Sequence, residues 1–129
     1  MKDLSEYIGI PFLSKGRNTS GIDCYGLTRL VLRNVYGKEL PDFYYPDAMD
    51  KKNIRKLLDQ NQPLLAGTET DEPEEGDIAI MKYGGIPCHI GIYVGEGKIL
   101  HIRVKTDSIL ERVGSARLKA RIAGYYKID

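Results

Sequence analysis

Cys24, His89 and His101 are the side chains of this chain that can together break an amide bond. A cysteine thiol needs a base to take its proton, and that base needs a third group to fix its tautomer and ring orientation. One cysteine and the only two histidines of the sequence supply those three parts. Cys24 stands in Gly21-Ile22-Asp23-Cys24-Tyr25-Gly26-Leu27, and Leu27, Leu30, Val31 and Val35 share its stripe while Arg29 and Arg33 point to the opposite side. That is the pattern of an amphipathic helix with the cysteine at its start. The free N–H groups and the positive dipole end of such a helix favour a negative sulfur, so Cys24 is expected to have a pKa lowered towards neutrality.

The histidines lie in two alternating stretches, Cys88 to Val94 and Lys98 to Val104, divided by Gly95-Glu96-Gly97. This is a hairpin signature. Ile90, Ile92 and Val94 share one parity, as do Leu100, Ile102 and Val104, and both sets face one core only if paired residue numbers sum to an even number, which a three-residue loop of Gly95, Glu96 and Gly97 satisfies. In that register Gly91 lies opposite His101. His89 and His101 become diagonal neighbours on the other face, roughly 7–8 Å apart at the backbone, a gap that imidazoles bridge. Gly91, lacking a side chain, leaves room there for a helix end to approach.

The remaining elements must deliver these groups. A short N-terminal helix is expected over Asp3 to Ile8, ended by Gly9 and Pro11, then a polar loop from Ser14 to Gly21 and the nucleophile helix to Tyr36-Gly37. Phe43, Tyr44 and Tyr45 form an aromatic cluster, and Asp47 to Gln60 reads as an amphipathic helix. Thr68 to Gly76 reads as an acidic surface connection, followed by a strand over Ile78 to Lys82 and a loop from Tyr83 to Pro87. After the hairpin come a turn at Lys105 to Ser108, a strand near Ile109 to Val113 and a last strand ending at Gly124-Tyr125-Tyr126. The expectation is a single α+β domain over residues 1–129, with N-terminal helices packed on an antiparallel sheet of about five strands.

These residues resemble the NlpC-type cysteine peptidases, a papain-like family that cleaves bacterial cell-wall peptides. Its marks are Asp-Cys-x-Gly-Leu at a helix start, Gly-Asp-Ile at a strand start, and His-x-Gly-Ile-Tyr-x-Gly followed by Ile-x-His. They appear here as Asp23 to Leu27, Gly76 to Ile78, His89 to Gly95 and Ile99 to His101, in order along nearly the whole chain. Ser14 to Cys24 and Leu40-Pro41-Asp42 further resemble the branch found in bacteriophage tail-associated proteins. The resemblance implies a papain-like fold, catalysis by Cys24, His89 and His101, and Asp23, Tyr25 and Phe12 against the substrate. That substrate would be a peptidoglycan stem peptide, cut after D-glutamate. Phe12 stands where the family commonly has a tyrosine near the oxyanion site, and Tyr25 where serine is usual. Arg17, Arg29 and Arg103 are candidates to bind its carboxylates.

Bulk properties narrow the alternatives. With 42% hydrophobic residues and a formal charge of +1, the basic residues interspersed with acidic ones, neither nucleic acid nor a membrane is an expected partner. The opening Met1 to Tyr7 carries charges where a secretory signal is apolar, so a cytoplasmic or phage-virion location is expected. No cofactor or metal is expected. Zinc held by Cys24, Cys88, His89 and His101 is a rival, but adjacent Cys88 and His89 would point to opposite strand faces. A disulfide between the two cysteines would tie up the nucleophile. Two further classes stay open: a phage tail assembly or binding module without turnover, and a papain-like acyltransferase or amidase acting on another amide.

Overall fold

The computed structural model describes residues 2–40 and 68–128, so the aromatic cluster Phe43 to Tyr45 and the helix expected over Asp47 to Gln60 lie outside the described residues. At the N-terminus a single 3-10 turn, Ser5–Tyr7, stands where a longer helix was expected. The Asp3 carboxylate accepts the Ser5 N–H at 3.0 Å, and Gly9, at φ 86°, turns the chain away before a second turn can form. A two-stranded ribbon of β1 (Arg17–Asn18) and β2 (Gly21–Ile22) then feeds helix α1 (Cys24–Tyr36). The helix stops at Gly37, whose φ of 66° ends it, and the Gly37 and Lys38 N–H groups both close onto the Leu32 carbonyl.

Six antiparallel strands follow: β3 (Thr68–Thr70), β4 (Asp77–Tyr83), β5 (Ile86–Tyr93), β6 (Lys98–His101), β7 (Ile109–Arg112) and β8 (Ile122–Lys127). Their order across the sheet is β3-β8-β4-β5-β6-β7. The architecture is α+β, as the sequence predicts, with one strand more in the main sheet than the five read there. The extra strand is β3, whose Thr-Glu-Thr run lies in the stretch read as an acidic connection and pairs with the sheet-crossing β8. The expected loop from Tyr83 to Pro87 is instead the closing turn of the β4–β5 hairpin, because Gly84 and Gly85 both take positive φ, 60° and 76°, while Tyr83 pairs with Ile86. A one-turn helix α2 (Ala116–Lys119) also escapes the sequence reading; Ser115 caps it by accepting the Leu118 N–H.

Both faces of the central strands are buried. On one, Ile78, Ile80, Ile90, Ile92 and Leu100 pack against Leu27, Leu30 and Val31 of α1. On the other, Ala79, Met81 and Ile99 meet Leu118 of α2. Strand β4 therefore reads as an unbroken apolar run from Ile78 to Met81 instead of an alternation. Each fully buried aliphatic side chain of this kind contributes about 1.5–3 kcal/mol, enough for Leu27 and Val31 together to hold α1 firmly against β5. Among the described residues no helix is long and apolar enough to cross a membrane.

Candidate active site

The nucleophile is set by bonds that are local in sequence. Asp23, fully buried, caps α1 by accepting the Gly26 N–H at 2.8 Å, and it also accepts the Lys15 N–H at 2.8 Å and an Arg17 N–H at 3.0 Å. One carboxylate thus ties the preceding loop to the helix start. Gly26 is required by close approach, because a Cβ there would run into the Gly16 carbonyl. Cys24 comes to β5 where its pairing with β6 has ended: that ladder stops at Ile92 opposite Leu100, and the Ile90 N–H donates towards the Cys24 sulfur.

The expected low pKa of Cys24 is corrected by the structure. Burial pushes the thiol up to about 12, and the Asp23 carboxylate adds to the rise, while the Ile90 and Tyr25 N–H groups pull it down. Desolvation outweighs the helix-start effect because Cys24 is only 6% exposed. The resting group is a neutral thiol.

The histidines meet as the hairpin register demands. Tyr93 pairs with Ile99 and Ile92 with Leu100, the Gly95-Glu96-Gly97 loop closes through the Val94 N–H on the Lys98 carbonyl, and His89 Nε2 lies 2.9 Å from His101 Nδ1. Gly91 serves a different purpose from the one expected. A Cβ on it would lie 2.9 Å from the His101 Cβ and 3.0 Å from Ile99, so the space belongs to β6 and not to a helix end.

Beyond His101 the chain of bonds continues. His101 Nε2 is 2.9 Å from Glu111 Oε1, and Glu111 Oε2 accepts from Arg117 at 3.0 Å. Burial alone would raise the Glu111 pKa, but the bonds and charges of His101 and Arg117 bring it below the usual value, so it is an ionised acceptor. His101 must then carry its proton on Nε2. Burial lowers the His101 pKa and, with the His101, Arg103 and Arg121 charges, holds His89 well below 6.5, so both rings are neutral. Neutral His101 presents a lone pair at Nδ1, His89 donates to it from Nε2, and the lone pair of His89 is left at Nδ1. Two residues thus set the tautomers of two histidines in series.

The other predicted residues separate. Tyr25 is buried in the core cluster at 1% exposure, and Asp23 has its carboxylate taken by the donors above. Phe12, half-buried, bridges in parallel to Ile22 two residues before Cys24. Arg17 is paired to Asp23, and Arg29 donates to the Leu40 carbonyl at 3.0 Å, whereas Arg103 stacks on Tyr83 beside His89. Cys24 and Cys88 are free, buried thiols. Cys88 has no partner in the β4–β5 ladder, where the register jumps from Met81 opposite His89 to Lys82 opposite Pro87. This bulge breaks strict alternation, so the argument from opposite strand faces fails at that point. No group of three or more His, Cys, Asp or Glu among the described residues is arranged to hold a metal ion.

Glu111, Arg117 and the bulge were missed by sequence reasoning. The available signal for Glu111 was register: with a turn after Arg103, strand β7 sets Glu111 opposite Ile99, on the parity of His101. Arg117 had no signal, because the one-turn helix that carries it was not foreseen.

This arrangement has counterparts. Residues 9–122 match the model of the NlpC/P60 family. The "Murein DD-endopeptidase MepS/Murein LD-carboxypeptidase" of Escherichia coli K12 is 22% identical over 94% of this chain and 57% of its own. The "Gamma-D-glutamyl-L-lysine dipeptidyl-peptidase" of Bacillus subtilis is 30% identical over 74% of this chain and 28% of its own, and "Tail tip assembly protein K" of phage lambda 30% over 71% and 47%. The chain thus spans about half the length, or less, of these relatives. In fold it is similar to the NlpC/p60 domain of the peptidoglycan hydrolase SagA, with a TM-score of 0.64 at 23% identity, covering 96% of this chain and 92% of that one. With the family model spanning the helix start, both histidines and Glu111, the chain belongs to the NlpC/P60 family.

Proposed function

We propose that this chain is a cysteine peptidase that hydrolyses an amide bond of peptidoglycan stem peptides through a Cys24 thioester. The observation that carries the reading is the relay from Glu111 through His101 to His89, which leaves Nδ1 of His89 as the available base, on the residue next to the Ile90 N–H that meets the Cys24 sulfur. Because thiol and imidazole are both neutral at rest, the proton leaves with the attack: Sγ bonds the carbonyl carbon while His89 Nδ1 takes the thiol proton. The oxyanion is held by the backbone N–H of Cys24 at the helix start. His89 then protonates the leaving amine, and in the second half it deprotonates the water that splits the thioester. His101 and Glu111 orient the ring and stabilise the imidazolium formed on the way.

The bond after D-glutamate is the cleavage point we favour, supported by the name of the B. subtilis relative, a gamma-D-glutamyl-L-lysine dipeptidyl-peptidase. A second reading, a tail assembly module with little or no turnover, is favoured by the lambda relative and by Phe12 in the place of a hydroxyl donor. Mass spectrometry decides between them. Purified peptidoglycan or a stem tetrapeptide incubated with the protein yields new amine termini under the peptidase reading, and Cys24→Ala yields none while keeping its fold by circular dichroism. Wild-type protein that releases no termini from either substrate overturns the reading.

A further inference from the structure

On the histidine side of the sheet Tyr83 carries two cations. The guanidinium carbon of Arg103 lies 5.1 Å from the centre of the Tyr83 ring and that of Arg121 4.4 Å from it, and the same ring meets His89 edge-on at 5.5 Å between centres. All three side chains are half-buried and within reach of solvent. Arg17, Arg117 and Lys127 each contact a carboxylate, whereas Arg103 and Arg121 form no ion pair with any carboxylate of the described residues. Glu111, whose charge acts on Tyr83, is taken by His101 and Arg117. Two guanidinium groups sharing one ring repel each other, and cation–π contact offsets only part of that. A carboxylate within reach of both guanidinium groups offsets that repulsion and gains charge-assisted bonds of fork geometry.

We propose that Arg103 and Arg121, clamped on Tyr83, form a subsite beside His89 for a free carboxylate of the peptide substrate. The inference rests on the peptidase reading and adds what the site selects. A glutamyl residue joined through its side-chain carboxyl keeps its α-carboxylate free a few bonds from the scissile carbonyl, the distance scale on which Tyr83 and His89 are neighbours. Occupancy has a consequence for catalysis. The positive charges of Arg103 and Arg121 both disfavour the imidazolium of His89, and a bound carboxylate offsets them, so His89 becomes a better proton acceptor when the correct substrate is in place.

The test uses two stem peptides that differ only at this group, one with the α-carboxylate and one with the primary amide. Wild-type kcat/KM favours the carboxylate by about tenfold or more, the size of one charge-assisted hydrogen bond, and the preference shrinks as salt rises. Arg103→Gln and Arg121→Gln bring the ratio close to one by losing rate on the carboxylate peptide, and the Lys variants keep an intermediate ratio. Calorimetric titration of Cys24→Ala with both peptides reads the same preference in binding, without turnover. Cleavage of both peptides at equal rates, or a ratio unchanged in the arginine variants, overturns the subsite and leaves the peptidase reading standing. No cleavage of either peptide by wild type, with tighter binding of the carboxylate to Cys24→Ala, sinks the peptidase reading and leaves the subsite. Equal or absent binding of the two peptides overturns the subsite as well, and if a Gln variant is misfolded by circular dichroism, the wild-type ratio and its salt dependence decide.

Discussion

The two ends of the site are held by opposite means. At the nucleophile end, Asp23 gathers Lys15, Arg17 and Gly26, all within eight residues of it in sequence, and so ties Cys24 to its own neighbourhood. At the base end, His89 on β5, His101 on β6, Glu111 on β7 and Arg117 on α2 come from four separate elements, and each link exists only because the strands pair in one register. The first end tolerates movement elsewhere in the sheet. The second transmits any slip of one strand directly to the reacting nitrogen. The difference teaches that the chemistry here is fixed in position locally for the nucleophile and globally for the base.

The strongest way to break that contrast is at the histidines. His89→Ala is expected to lower kcat by about 100-fold or more, with no rescue by Asn or Gln, since neither is a base. His101→Asn and His101→Gln should retain more activity than His101→Ala, because an amide can still bond to His89. Steady-state kinetics on a stem peptide measure both series, and a fully active His101→Ala would remove the relay from the mechanism.

A smaller effect is expected one link further out. Glu111→Ala should reduce kcat by about tenfold with KM little changed, since the group acts through His101 and does not touch substrate, while Glu111→Gln, which can still accept from Nε2, should lose less. Because Glu111 raises the His101 pKa, its removal should also move the acid limb of the kcat/KM profile to lower pH. A parallel loss in Ala and Gln variants with an unmoved profile would assign Glu111 to structure alone.

Stability against pH probes the buried pair. An unfolded histidine titrates near 6.5, whereas folded His89 and His101 hold to the neutral form at lower pH. Below about 6.5 the unfolded chain therefore binds more protons than the folded one, and stability should fall from pH 7.5 to 5.5, while carboxylates stay ionised. Thermal melts across that window check it; a flat or rising Tm would contradict neutral burial.

The smallest effect is expected at the nucleophile end. Asp23→Asn keeps a good helix cap but removes the charge that raises the Cys24 pKa, so the pH at which iodoacetamide alkylates Cys24 should move down. Asp23→Ala loses the cap too, at about 1 kcal/mol. An alkylation profile unchanged in Asp23→Asn would show that burial alone governs the thiol.

What the sequence determined by itself lies at short range. The start and stop of α1, the three-residue loop between β5 and β6 and the meeting of His89 with His101 follow from helical and strand periods, from Asp23 and from glycines at Gly37, Gly95 and Gly97, all of which act over a few residues. Glu111 was one register step away and Arg117 was out of sight, because a strand's partner and a one-turn helix depend on what packs beside them. The direction of the Cys24 pKa was misjudged for the same reason: the helix start is written in the sequence, but desolvation is the sum of everything that closes over the sulfur, and here it is the larger quantity. Arg121 likewise joins Arg103 at the Tyr83 ring only when β8 enters the sheet beside β4. Local order was decided by chain chemistry, and charge state and company by burial and strand order, which exist only once the chain has folded.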